Sequence, residues 1–281
     1  MYDLQQHGFI VPKWDVPTNV RAFCTTKCMA GESTGAYSSF NLAMHVGDEP
    51  SAVQANREML LQWLSQSVPN TTPRLHVSWL NQTHSTHSFC LSRSKADTLL
   101  FSQRDHTDAG SADASFTKEL GLVCAVMTAD CIPILLSDKS GRWVAAIHSG
   151  WRGLAKGVIE ETIANIRCVY PDLFQVEQTV AWLGPSISDN VFEVGRDVLN
   201  AFSDYRDCFS TTSKPDKYLA NLYNIAKRKL TGIGVPLTQI TGGDYCTYSD
   251  VERFYSYRRE GVTGRIVSGV FLTDTINSNE K

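Results

Sequence analysis

The stretch Met127–Gly153 constrains the fold more than any other part of the chain. It holds two apolar runs, Ile132–Leu136 and Trp143–Ile147, which read as strands. The polar segment Asp138-Lys139-Ser140-Gly141 lies between them and has the composition of a tight turn. A hairpin is expected, and it carries the two strands back past each other. Cys131 stands just before the first strand and His148 just after the second, so a thiolate and an imidazole are brought together. Leu154, Val158, Thr162, Ile166 and Val169 then recur at helical spacing. At this strand-to-helix junction Gly150 and Gly153 let the backbone turn sharply, and the helix N-terminus suits an anion.

Sulfur with imidazole nitrogen is the donor mix that zinc or copper takes. It is equally the mix of a cysteine–histidine nucleophilic dyad. A catalytic zinc usually has three protein ligands and one open position. The third candidate is His84, in the polar run Asn81-Gln82-Thr83-His84 that ends a strand read over Leu75–Leu80. On spacing alone a lone histidine of this kind is more often structural. His87, three residues on, is a neighbour or a substitute ligand. His7 lies near a terminus, His45 precedes a Gly-Asp turn, His76 alternates with Val77 in a strand, and His106 sits in the polar loop Ser102–Asp108. A ligating imidazole usually gives its second N–H to a carboxylate or carbonyl. Asp130, directly before Cys131, and Asp113, after Ala-Gly-Ser, are the candidate carboxylates for that role or for acid–base work.

A basic aromatic segment, Arg253-Phe254-Tyr255-Ser256-Tyr257-Arg258-Arg259, follows with Arg265 nearby. Arginine beside tyrosine suits a phosphate and a flat base, through bidentate hydrogen bonds and stacking. Arg152, at the start of the helix after His148, is placed for an anion. The remaining pattern mixes elements without strict alternation. Strands are expected over Val20–Thr26, Leu122–Met127, Thr179–Leu183, Gln239–Thr241, Phe254–Tyr257 and Ile266–Leu272. Helices are expected over Ala52–Leu64, capped by Asp48 or Ser51, and over Val194–Phe202 and Lys217–Leu230. That is an α+β pattern rather than a doubly wound one.

Composition narrows the function classes. A net charge of −3 shows no nucleic-acid footprint, and no apolar run is long enough to span a membrane. The opening residues lack the basic start and long apolar core of a secretory signal. With no export signal in a chain of 281 residues, the eight cysteines are expected to be reduced, in a cytoplasmic protein.

These motifs together resemble the multicopper polyphenol oxidoreductase (laccase-like) family, also described as purine nucleoside phosphorylases and as peptidoglycan-editing factors. The matching words are Phe40-Asn41-Leu42, His45-Val46-Gly47-Asp48, Asn81-Gln82-Thr83-His84, Ala112-Asp113-Ala114, Thr128-Ala129-Asp130-Cys131 and His148-Ser149-Gly150-Trp151-Arg152-Gly153. Leu183-Gly184-Pro185, Cys246-Thr247-Tyr248-Ser249 and Phe254-Tyr255-Ser256-Tyr257-Arg258-Arg259 complete the set, in family order over nearly the whole chain.

The resemblance implies a single domain over residues 1–281, with mixed β-sheets packed face to face and helices on the outside. It implies one zinc on His84, Cys131 and His148, with copper as an alternative metal. Cys131, Asp113 and Asp130 are expected as catalytic residues and Asn41, Arg152, Tyr257 and Arg258 as substrate-binding ones. The implied substrates are phosphate and purine nucleosides (adenosine, inosine, guanosine and methylthioadenosine), with adenosine deamination as a side activity; no membrane or nucleic-acid partner is implied. Three places depart from the family pattern. Lys27-Cys28-Met29-Ala30-Gly31-Glu32 replaces Arg-x-Gly-Gly-Val-Ser, Ser85-Thr86-His87 replaces Gly-Thr-Asp, and Ser188-Asp189-Asn190 lacks a cysteine pair. Competing readings are a Cys131–His148 amidase acting on peptidoglycan precursors, a copper polyphenol oxidase and a non-catalytic metal-binding partner. A dyad has no need of His84, and a laccase needs more ligands than seven scattered histidines supply.

Overall fold

A computed structural model describes residues 3–93 and 111–274, so the loop containing His106 lies outside the described residues. Two mixed sheets form the centre. One has the order β1 (Val20–Cys24), β13 (Ile266–Leu272), β5 (Leu122–Thr128) and β2 (His76–Ser78). The other has the order β12 (Ile240–Gly242), β8 (Thr179–Leu183), β6 (Ile132–Asp138), β7 (Val144–Ser149), β4 (Ala114–Thr117) and β3 (Ser88–Cys90). A small third sheet runs β10 (Phe209–Thr211), β11 (Tyr218–Ala220) and β9 (Glu193–Val194).

The period-2 alternation of the strands decides the layering. Leu135, Val144, Ala146 and Trp182 pack against Val20, Ala22, Leu122, Cys124 and Val126, which closes the two large sheets face to face. The alternate residues Ile132, Ile134, Leu136, Ala145 and Ile147 face the other way. They pack against helices α3 (Val158–Val169) and α5 (Leu222–Gly232). On the far side, Leu60 and Leu64 of α1 (Pro50–Gln66) cover Phe23, Val123, Ala125, Met127, Val267 and Phe271. Mixed sheets face to face with helices outside is the architecture that the resemblance implies.

The expected hairpin forms. Gly141, at φ +63°, closes its turn with a backbone bond to Asp138, whose carboxylate accepts from Arg142. Local chemistry explains the differences elsewhere. Neither Asp48 nor Ser51 caps α1: its N-cap is Glu49 without a side-chain bond, Pro50 opens the helix, and Asp48 instead takes Ser33 and Asn41. The periodic run after Gly150 splits into α2 (Trp151–Lys156) and α3, because Gly157 takes the left-handed conformation at φ +95°. The helices expected at Val194–Phe202 and Lys217–Leu230 begin later, as α4 (Arg196–Ala201) and α5, each after a short strand. Phe254–Tyr257 is not a strand: Phe254 and Tyr255 are buried in a loop, and Ser256 caps the short α6 (Tyr257–Glu260).

Leu135 is fully buried between the sheets, whereas Val169 is 47% exposed. Leu135→Ala is expected to lower the unfolding free energy by about 2–5 kcal/mol, and Val169→Ala by no more than about 0.5 kcal/mol. Equal denaturant midpoints for the two variants would contradict the sandwich.

Candidate metal centre

The hairpin register builds the centre. Pro133 pairs with His148 and Ile132 with Ser149, so Cys131 comes opposite Gly150, on the face that carries His148. On the other side of β7, Ala114 pairs with Ile147, which sets Asp113 across from His148. The His148 backbone N–H donates to the Asp113 carbonyl at 2.6 Å, and its ring Nδ1 meets Asp113 Oδ1 at 2.7 Å. His148 is thus held through ring and backbone, with Nε2 left for a ligand.

His84 arrives on a loop fastened at two points. The Gln82 amide accepts from Met127 N–H and donates to the Met127 carbonyl, both at 2.8 Å, which extends the edge of β5 by one side-chain rung. The loop then wraps the Asp113 carboxylate, which accepts from the N–H groups of Thr83, His84 and Ser85 and from Ser85 Oγ. His84 takes a left-handed φ of +58°, and Asp130, next to Cys131, takes +91°. Such conformations persist only where surrounding contacts impose them. The imidazoles of His84 and His148 meet edge to face at 4.8 Å, and His84 Nε2 is 3.6 Å from Cys131 Sγ.

The ligand atoms of His84, Cys131 and His148 all lie within 4.8 Å of one another. Among the described residues this is the one such group of three able to hold a metal. Gly150 leaves the room it needs: a Cβ there would stand 2.4 Å from His84 Cδ2 and 2.9 Å from Cys131 Sγ. The extra His87 is exposed and outside the group, and it contributes its carbonyl to Asp113 and Ala114 N–H.

Without a metal the charges at the centre pair with one another. Burial opposes the Cys131 thiolate, but the His148 charge and hydrogen bonds from both imidazoles bring the thiol down to about 6. Burial also opposes charge on His148, while Cys131 and Asp113 on either side raise it to about 9. Asp113 is buried as well, yet His148 and Ser85 hold its carboxyl down to about 2. The carboxylate is a settled anion with five donors.

The other candidates lie around this group. Asp130 faces away from it: Oδ1 accepts from Thr247 Oγ1 at 2.6 Å, Oδ2 from Arg258 N–H at 2.7 Å, and its carbonyl from Ser186 and Ile187. It ties the loops at Ser186 and Thr247 and the start of α6 to the turn that carries Cys131. Arg258 donates from Nη1 to the Glu193 carbonyl and lies over Phe192, while Tyr257 is 60% exposed. Arg152 is exposed and stacked on Trp151. Asn41 is buried, its amide taken up by Ala43, Asp48 and Arg265 N–H. Gln82 and Gly150 carry roles that motif matching marks without explaining. Arg265 goes unassigned in the sequence because it lies outside the clustered arginines.

Fold and centre together define a two-sheet α+β protein with one N,S-donor group suited to a metal. The chain belongs to the multi-copper polyphenol oxidoreductase laccase family, whose sequence model matches residues 21–273. It is 40% identical over 268 residues to a purine nucleoside phosphorylase of Haemophilus influenzae, covering 94% of this chain and 98% of the relative. Its identity to the purine nucleoside phosphorylase YfiH of Escherichia coli is 40% over 265 residues, with the same coverages. A crystal structure of a Neisseria meningitidis protein matches with a TM-score of 0.81 at 39% identity, covering 95% of this chain and 100% of that one. YlmD of Geobacillus stearothermophilus matches with a TM-score of 0.81 at 26% identity, covering 92% and 93%.

In the metal-free protein the thiolate is present above about pH 6 and the imidazolium below about pH 9, so the pair is charged between those values. Alkylation of Cys131 should therefore rise with a midpoint near 6, and His148→Ala should move that midpoint up toward the ordinary ~8.5. An unshifted midpoint in His148→Ala would contradict the pairing.

Proposed function

We propose that the chain is a zinc-dependent purine nucleoside phosphorylase for adenosine, inosine, guanosine and methylthioadenosine, with adenosine deamination as a side activity. One distance supports a tetrahedral metal at these donors. Zinc bonds of ~2.3 Å to sulfur and ~2.0–2.1 Å to nitrogen at a tetrahedral angle put the two ligand atoms about 3.5 Å apart. Cys131 Sγ and His84 Nε2 are 3.6 Å apart. His84, Cys131 and His148 are the proposed ligands, and copper is the alternative ion for the same donors. A laccase-type reaction needs several coppers, and the described residues hold one group of three donors. The names of the relatives at about 40% identity support phosphorolysis.

Zinc, when bound, supplies Lewis-acid polarisation at its open position. The chain's own residues do the rest. Asp113 holds the His148 ring by Nδ1 and the His84 loop by its N–H groups, which sets the ligands before a metal arrives. Asp130 holds the backbone of Arg258, and with it the exposed Tyr257 ring, against the residue next to Cys131. Tyr257 offers a flat apolar face to a purine. Arg152, at the first turn of α2 with no ion pair among the described residues, adds an exposed positive charge that draws phosphate toward the centre. We read the chain as one cytoplasmic domain: β1 and β13 pair Val20 with Leu272, so early and late segments share a sheet, and no helix among the described residues is long and apolar enough to cross a membrane.

A second reading has a specific observation behind it. Cys131, His148 and Asp113 have the order of a nucleophile, a base and an orienting carboxylate, and the thiol is already lowered. An amidase acting on peptidoglycan precursors would use those three groups and leave His84 without a task.

The purified protein is expected to hold about one zinc per chain, largely lost in Cys131→Ala and His148→Ala by elemental analysis. Asp113→Asn should weaken zinc binding by about 10- to 100-fold. Adenosine or inosine with phosphate should yield free base and ribose 1-phosphate on chromatography, and chelation should abolish the reaction. Release of an amide fragment from a muropeptide precursor by the metal-stripped protein, with no base released by the loaded one, decides for the amidase.

A further inference from the structure

We propose that Arg265 binds the inorganic phosphate co-substrate, in a subsite formed with Tyr257 beside Cys131. The inference rests on the phosphorylase reading and names the residue that serves it. Other arginines of the basic segment are engaged elsewhere. Arg253 pairs with Asp250. Arg258 points its Nη1 at the Glu193 carbonyl. Arg259 is taken up by the carbonyls of Thr247, Tyr248 and Phe254 and by the Glu260 carboxylate.

Arg258, like Arg265, keeps Nε and Nη2 without a hydrogen bond among the described residues, but its Nη1 rests on one carbonyl, whereas that of Arg265 is held by two. Arg265 is anchored by its backbone N–H on Asn41 Oδ1 at 2.9 Å, and by its Nη1 on the carbonyls of Thr263 and Gly264 at 2.8 and 2.9 Å. It forms no ion pair among the described residues, and its Nε and Nη2 make no hydrogen bond there. These two N–H groups form one edge of the guanidinium, the edge that grips two oxygens of a phosphate. The anchored Nη1 fixes the plane of the fork, so little freedom is lost on binding. The register brings Arg265 beside the centre. Ile266 pairs with Thr128, which puts Arg265 across from Ala129 and beside the Asp130–Cys131 turn. The Tyr257 ring lies 5.8 Å from its Cζ. Burial lowers the Arg265 pKa, and the charges of Cys131 and Asp130 and the Tyr257 and Tyr37 phenols act in the opposite direction. The Asp130 carboxylate is already taken by Thr247 and Arg258 N–H.

A phosphate on that edge sits next to a purine face on Tyr257, which is the adjacency phosphorolysis requires. In the reaction the bond between the ribose C1′ and the purine nitrogen breaks, and a bond from C1′ to a phosphate oxygen forms. The proton of hydrogen phosphate ends on the purine nitrogen. Nucleoside and hydrogen phosphate go in; free base and ribose 1-phosphate come out.

The test is calorimetric titration of the zinc-loaded full chain with inorganic phosphate, beside steady-state kinetics. Arg265→Gln should weaken phosphate binding and raise the phosphate KM by about 10- to 100-fold. Zinc content and the nucleoside KM should hold. Arg265→Lys, which keeps the charge without the two-pronged edge, should fall between and guards against a folding defect in the Gln variant. Phosphate binding that is lost in Arg265→Gln, in a wild type that cleaves no nucleoside, supports the subsite and sinks the phosphorylase reading. Phosphorolysis with an unchanged phosphate KM in both variants does the reverse. A wild type that binds no phosphate overturns both. A nucleoside 5′-monophosphate bound more tightly than free phosphate, through the same residue, overturns the co-substrate assignment.

Discussion

The Asp113 carboxylate accepts from the His148 ring, from three successive backbone N–H groups and from the Ser85 hydroxyl. Those bonds join two segments that share no sheet pairing: strand β7, which carries His148, and the loop that carries His84. A buried carboxylate is costly unless its lone pairs are filled, and here the partners that fill them are the supports of two candidate ligands. The charge of Asp113 and the geometry of the histidines are therefore one property.

The second support is the sandwich itself. The face of β6 and β7 that ends in Cys131 and His148 begins as Leu135, Val144 and Ala146, packed against the other sheet. The donors thus stand at the rim of a dry, close-packed interface, where a rotamer has few alternatives. Gly150 completes the rim by leaving space for imidazole and sulfur. Asp130 extends the order outward, since its carboxylate and carbonyl hold the loops at Thr247, Arg258 and Ser186.

Much of this is legible in the residues. Thr179–Leu183 and Ile266–Leu272 are readable as strands because they are mostly apolar and end at turn residues, and the hairpin is readable from its polar tetrapeptide. Once the hairpin is drawn, Cys131 and His148 converge without further information. His84 does not follow in that way: its loop is placed by a side chain–backbone clamp through Gln82 and by a carboxylate 29 residues further along the chain, contacts that leave no periodic trace. The break at Gly157 is hidden by an apolar stripe that runs through it. Phe254–Tyr257 has strand composition but no neighbouring edge to pair with, so its aromatic residues are buried as a loop. Arg258 illustrates the limit of composition. A basic cluster beside tyrosines marks the region, while the partners of each guanidinium, two backbone carbonyls on Arg265 Nη1 against one on Arg258, are visible only in the fold.

The pairing of β13 with both β5 and β1 has a consequence for biogenesis. Translation delivers His84, Asp113, Cys131 and His148 before the chain has reached α2, whereas Arg265 and β13 emerge close to the end. The residues that meet at the candidate centre are thus made before the strand that joins β1 to β5 in the first sheet.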